Sequence, residues 1–170
     1  MKSIVIYSSL TGNTKQVAEA ITSVLPADTP CVSISELPSD MESYDLVFAG
    51  FWVDKANKEA RDVLGTLHNP YIALFATAGV PPQMAHAKES LVNAANCLPD
   101  GVEPVGTFIC QGKVDPKVIE MMYKMFPKGH SHGQSADRDA RHKQAAVHPN
   151  EDDFKAAQDF AQHILAKLDR

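Results

Sequence analysis

One hundred and seventy residues with 44% apolar content match the size of one compact domain that can bury a core without metal or disulfide staples. Sixteen basic against twenty-one acidic residues leave a formal charge of −5, too acidic for a general nucleic-acid binder. Three cysteines (Cys31, Cys97, Cys110) with no C-x-x-C pair argue against a disulfide scaffold and a Cys-based zinc site.

The first apolar run is too short for a signal peptide and no stretch approaches a membrane span, so a cytoplasmic chain that meets no membrane is expected. Residues 3–8 form a β-branched and aromatic run between turn formers and predict a buried strand. Thr11-Gly12-Asn13-Thr14 follows, and Val17, Ala18, Ile21, Val24 and Leu25 then recur at helical spacing until Pro26 and Pro30. Strands are predicted over 31–34 and 45–50, with Gly50 opening a loop of unusual composition, Phe51-Trp52-Val53-Asp54-Lys55. A helix over 58–67 precedes a strand over 71–77, which Gly79-Val80-Pro81-Pro82 breaks. A helix over 84–97 and a strand over 102–110 complete the alternation. Further on, 117–126 reads as a short helix bearing Met121, Met122 and Met125, whose spacing suits packing. A charged helix is predicted over 136–146, and a last one over 151–168 whose stripe from Phe154 to Leu165 is a core face.

Strands alternating with helices predict a doubly wound α/β domain: a five-stranded parallel sheet covered on both faces. Ligands of such sheets bind outside the carboxyl ends of the strands, which directs attention to residues 8–14, 50–55, 77–82 and 110–113. Charge is unevenly spread. Residues 1–110 hold six basic and twelve acidic side chains, a net of −6, whereas 111–148 hold seven and four, a net of +3, with four of the seven histidines.

The loop Ser8-Ser9-Leu10-Thr11-Gly12-Asn13-Thr14 surrounds one glycine with hydroxyls and an amide at a helix start, where free N–H groups and the helix dipole favour an anion. Neither the triphosphate loop G-x-x-x-x-G-K-[ST] nor the dinucleotide fingerprint G-x-G-x-x-G is present. The loop suits a phosphate monoester held by neutral hydrogen bonds; the plainer alternative is a helix N-cap made by Thr14 or Asn13.

The run from Val5 to Ile21, VIYSSLTGNTKQVAEAI, resembles the FMN-phosphate signature of the flavodoxin family. That signature reads apolar, apolar, aromatic, any, Ser or Thr, two of any, small, any, Thr, three of any, Ala, two of any, apolar. The strand spacing of residues 1–110 is also similar to that family's. The resemblance implies strand order 2-1-3-4-5 and FMN as the cofactor. It implies a phosphate held by Ser9, Thr11, Asn13 and Thr14, with Leu10 in the same loop and Gly12 admitting the backbone. It further implies that the isoalloxazine lies between the loops after the third and fourth strands. Phe51 and Trp52 would offer a stacking face there, Trp52 before Phe51, although large aromatics are commonly core. Thr77, Ala78 and Gly79 would present backbone to the ring edge, or form only a strand exit. Val53 stands where flavodoxins often have a glycine whose peptide turns over, and a β-branched residue resists positive φ. A weaker preference for the one-electron reduced state follows.

Cys110-Gln111-Gly112-Lys113 closes the fifth strand, placing Gln111 and Lys113 within reach of the flavin or a partner, while Cys110 fits a buried thiol. The spacing of His130, His132, His142 and His148 matches no helical ligand pair, and no acidic or Cys cluster joins them; no metal site is expected. Residues 111–148 are instead read as a basic insertion or lid within one domain spanning 1–170, and no minimal flavodoxin has them. This extension resembles a flavodoxin-like group from anaerobic bacteria with a similar Cys-Gln-Gly-Lys run and His-rich stretch. Some of that group accompany flavin-dependent reductases such as the bilirubin reductase system.

The expected function is electron transfer between a reductase or ferredoxin and an acceptor enzyme. The alternatives are an NAD(P)H-dependent FMN reductase acting on quinones or other small acceptors, and a flavin-dependent interaction module. No catalytic residue is assigned, and both a monomer and a homodimer are compatible with the chain.

Overall fold

The computed structural model describes residues 1–53 and 57–169; Asp54 and Lys55, part of the expected flavin loop, lie outside them. Five strands, β1 (Ser3–Tyr7), β2 (Cys31–Ser33), β3 (Leu46–Trp52), β4 (Tyr71–Ala78) and β5 (Gly106–Gln111), pair in parallel in the order β2-β1-β3-β4-β5. This is the expected doubly wound sheet in the expected order. Tyr7 lies opposite Gly50, Trp52 opposite Thr77, and Ala78 opposite Gln111. Those pairs mark the carboxyl rim of the four strands nearest the predicted site.

Helices cover both faces, because the strands alternate their apolar side chains between two cores. On one face α1 (Asn13–Thr22) and α6 (Glu151–Leu168) bury Val17, Ala18, Ile21, Ala157, Ala161 and Ile164 against Val5, Phe48 and Phe75. On the other, α2 (Lys58–Leu64) and α3 (Ala85–Ala95) set Ala60, Leu64 and Ala94 against Ile4, Val47, Ile72 and Leu74. Between β5 and α6 the chain adds α4 (Pro116–Met125) and α5 (Ala136–Ala145), close to the two helices expected there.

Several boundaries differ from the sequence reading, among them the end of α2, at Leu64 and not 67, and three of them have identifiable causes. β3 does not end at Gly50: Phe51 and Trp52 pair with Ala76 and Thr77 of β4, and Phe51 is 7% exposed in the core. Aromatic side chains suit a pleated, half-buried surface, and the partner strand holds them in the ladder. β5 starts at Gly106 rather than 102, because Pro104 has no N–H to give and the first strand-like bond is Val105 N–H to Ile72 O at 2.8 Å. α1 ends at Thr22, after which Val24 and Leu25 close tighter turns by donating to Ile21 O and Thr22 O. β2 stops at Ser33, one residue short of the expected strand, and two short 3-10 turns, Ile34–Glu36 and Met41–Ser43, follow it before β3.

Candidate functional site

The rim loops are joined into one frame. Ser8 N–H donates to Gly50 O at 2.9 Å, Val53 N–H to Thr77 O at 2.9 Å, and Gly112 N–H to Ala78 O at 2.8 Å. Two side chains then tie α1 into the same frame. Asn13 Nδ2 donates to Lys113 O at 2.8 Å, and the Thr14 and Thr77 hydroxyls share a bond of 2.9 Å. Asn13 and Thr14 are 7% and 1% exposed, so their side chains brace the entrance of α1 from beneath. A Cβ on Gly112 would stand 2.7 Å from Asn13 Nδ2, so this close crossing of the β5 exit and α1 requires glycine there.

The entrance itself is a cradle for an anion. Gly12 has φ +94, a left-handed conformation that glycine adopts without strain, and supplies no side-chain cap. Ser9 Oγ takes over part of the cap by accepting the N–H groups of Gly12 at 3.1 Å and Lys15 at 3.3 Å. The N–H groups of Asn13 and Thr14 have no acceptor among the described residues. Unmet N–H groups in a helix's first turn, with the positive end of its dipole, attract a phosphate. Residues 8–14 contain no charged side chain, so the loop itself offers an anion only neutral donors, while Lys58 and Glu59 line the cleft beside it. Thr11 and Leu10 are exposed at the tip of the loop.

Trp52 joins this cradle. A cleft of about 340 Å³ is lined by Ser8, Ser9, Leu10, Ser33, Ser35 and Trp52, among others. The indole is half-buried at the end of β3, where a flat ring could lie on it. Phe51 is placed differently: it points into the core between the sheet and α2–α3 and borders a second cleft of about 290 Å³ that Trp52, Val53, Leu64 and Ala94 also line. Val53 is half-buried, and its N–H is committed to Thr77. Thr77 and Ala78 are buried in β4, while half-buried Gly79 lines a third cleft facing α5. Gln111 is 2% exposed, and its Nε2 has no partner among the described residues; the same is true of Asn13 Oδ1. Two unmet polar atoms on one rim fit a polar ligand above it. The residues present therefore fit the phosphate and aromatic ring of FMN.

Asn57 is the part of the site that the sequence reading missed. It caps α2 by accepting Ala60 N–H at 3.3 Å, accepts the Ser8 hydroxyl at 3.4 Å and donates to Trp52 O at 3.0 Å. One buried amide thus fixes the loop after β1 and the end of β3 together. An N-cap residue before an apolar-periodic segment was its local signal; the two long-range bonds had none. Beneath the rim, burial and, less, the Asp153 carboxylate push the Cys110 thiol up to about 12, so it is a protonated core group. Among the described residues no three His, Cys, Asp or Glu side chains gather as metal ligands. No helix among them is long and apolar enough to cross a membrane.

A family model described as Flavodoxin domain matches residues 4–162. The flavodoxin-like domain-containing protein BilS of Clostridioides difficile is 35% identical over 176 residues, covering 98% of each chain. Among solved structures, a Streptococcus pneumoniae flavodoxin has a TM-score of 0.61 at 13% identity, covering 98% of this chain and 99% of that one. A Fusobacterium nucleatum flavodoxin bound to flavin mononucleotide has a TM-score of 0.53 at 12% identity, with coverage of 98% and 99%.

Proposed function

The chain belongs to the flavodoxin domain family, and from that membership we propose that it binds FMN at the carboxyl rim and transfers electrons between a reductase or ferredoxin and an acceptor enzyme. The observation that carries this reading is the entrance of α1. Ser8, Ser9 and Leu10 of this uncharged loop line one cleft with Trp52, and the N–H groups of Asn13 and Thr14, which have no acceptor among the described residues, follow directly in sequence. A phosphate monoester attached to a flat ring system is the ligand that uses both halves. When bound, FMN supplies reversible electron transfer through its ring.

The chain's own residues bind and orient. Ser9, Thr11 and the N–H groups of Asn13 and Thr14 hold the phosphate, with Leu10 and Gly12 shaping the loop. Trp52 covers one ring face, and Thr77, Ala78, Gly79 and Gln111 border the ring edge. Asn57 holds Trp52 and Ser8 in register. The bond from Val53 N–H to Thr77 O fixes the Trp52–Val53 peptide, so that peptide does not turn over to answer a change in flavin charge. Residues 8–14, 77–79 and 110–112 contain no carboxylate or imidazole, and this part of the chain therefore brings no general acid or base to the ring.

One observation favours a second reading, an NAD(P)H-dependent FMN reductase acting on small acceptors. α5 and the loop before it face Gly79 and Val80 across a cleft of about 330 Å³, space that a small reactant could occupy. Stopped-flow mixing of the FMN-loaded protein with NADH or NADPH separates the two. The carrier reading expects no direct bleaching of the flavin band and rapid reduction once a flavodoxin reductase is added. Rapid bleaching by a nicotinamide alone overturns it in favour of the reductase.

A further inference from the structure

The cleft between the β4 exit and α5 has an unusual wall. Its floor is Gly79, Val80 and Met84, and its side is Arg138, Arg141 and His142, with exposed His86 and His132 at the mouth. No acidic residue lines it. Arg138 and Arg141 stand three apart on α5, so both reach the same side of the helix. Neither forms an ion pair among the described residues. The neighbouring acid, Asp139, has both oxygens engaged, accepting Tyr123 OH at 2.8 Å and Gln134 Nε2 at 3.2 Å.

The wall is also built and incompletely satisfied. Arg138 is anchored by Nη1 donating to Ser131 O at 2.7 Å, and its amide N–H is capped by Ser135 Oγ at 3.2 Å. His132 is set by the Phe126 ring at 5.3 Å and by its own N–H donating to His130 Nδ1 at 3.1 Å. Yet Arg138 Nε and both ring nitrogens of His142 are buried without a partner among the described residues. Buried polar atoms ordinarily find partners, and unmet donors beside two cations ask for an anionic acceptor. Burial, with help from Arg138 and Arg141, holds the His142 imidazole below its ordinary pKa, and an anion would offset the charge of the two arginines.

We propose that this cleft is a binding site for the carboxylate of a small organic anion: the oxygens take the guanidinium forks of Arg138 and Arg141 and the carbon skeleton lies on Val80 and Met84. A planar fork matches a carboxylate in two places at once, and the apolar floor gives a hydrocarbon what an inorganic ion cannot use. The site does not depend on flavin. Where FMN is bound as proposed, Gly79 is shared by the two sites, and the anion lies beside the ring edge.

Benzoate is the probe, titrated at about 0.15 M NaCl to screen diffuse attraction, into flavin-free and FMN-loaded protein alike. Amide signals of Gly79 and Val80 and the methyl signal of Met84 are followed by NMR. Saturable shifts are expected with benzoate in both forms, with inorganic phosphate binding at least about tenfold more weakly and benzyl alcohol leaving the signals unmoved. Arg141→Ala, and separately Arg138→Lys, which retains the charge and loses the fork, each weaken benzoate at least about tenfold while circular dichroism stays unchanged. The proposal is overturned if benzoate does not saturate, if either variant binds it as tightly as the parent, or if phosphate binds equally well. Because the flavin-free protein is measured too, failure of FMN to bind would leave this result standing by itself.

Discussion

Trp52 is the single tryptophan of the chain and sits half-buried at the end of β3, in a cleft it shares with Ser8, Ser9 and Leu10 of the loop before α1. Its emission therefore reports directly on the proposed ring position. Adding FMN is expected to quench it, and Trp52→Ala should weaken FMN by about tenfold, the order of magnitude of a lost aromatic stack and its buried area; unquenched emission and unchanged affinity would move the ring elsewhere. Cys110 gives a second residue-scale test. With its thiol pushed up to about 12 by burial, it stays protonated through ordinary working pH, and the thiol is the unreactive form. Iodoacetamide at pH near ~8 should label half-buried Cys97 well before Cys110, as peptide mapping would show. Residues 8–14 were legible in the sequence because a phosphate loop is local: hydroxyls, glycine and helix start follow one another along the chain. Asn57 was not legible, since its value lies in bonds to Ser8 and Trp52 that exist only once β1 and β3 are neighbours. The braces made by Asn13 and Thr14 reach Lys113 and Thr77, and they too depend on contacts far apart in sequence.

At the scale of elements, the same distinction decides which boundaries could be read. α6 begins and ends where its sequence predicts, because both of its signals are local. Asn150 accepts the N–H groups of Asp152 and Asp153, Asp153 accepts the Asn150 N–H at 2.9 Å, and the apolar stripe does the rest. Replacing Asn150 with Ala should lower stability by about 1 kcal/mol in urea unfolding, and an unchanged midpoint would show that the capping box is idle. β3 runs two residues past the end its sequence predicts because those residues are held by β4, and pairing between strands leaves no mark on either strand alone. Burial of Phe51 follows from that pairing. Side chains alternate along β3, so Phe51 falls on the face where Val47 and Ala49 already contact α2 and α3.

Across the whole molecule, the overall charge of −5 conceals a body of net −6 and a segment, residues 111–148, of net +3. The fold brings two of the segment's seven cations, Arg138 and Arg141, to the β4 exit, while its five lysines are exposed outside that cleft. A partner or reactant approaching this rim meets cations on the α5 side, and its association should slow as salt is added if it is anionic. The fixed Trp52–Val53 peptide and the β-branched Val53 bear on the redox behaviour of the proposed flavoprotein. A spectroelectrochemical titration is expected to show the two one-electron steps close together, with little one-electron form accumulating; a large persistent fraction would contradict that expectation. All of this presupposes the cofactor. The most direct test is to mix flavin-free protein with FMN, desalt it and record the visible spectrum and flavin fluorescence. About one FMN is expected to stay with each chain, its fluorescence quenched; free FMN separating from the protein with its fluorescence unchanged would overturn the cofactor assignment.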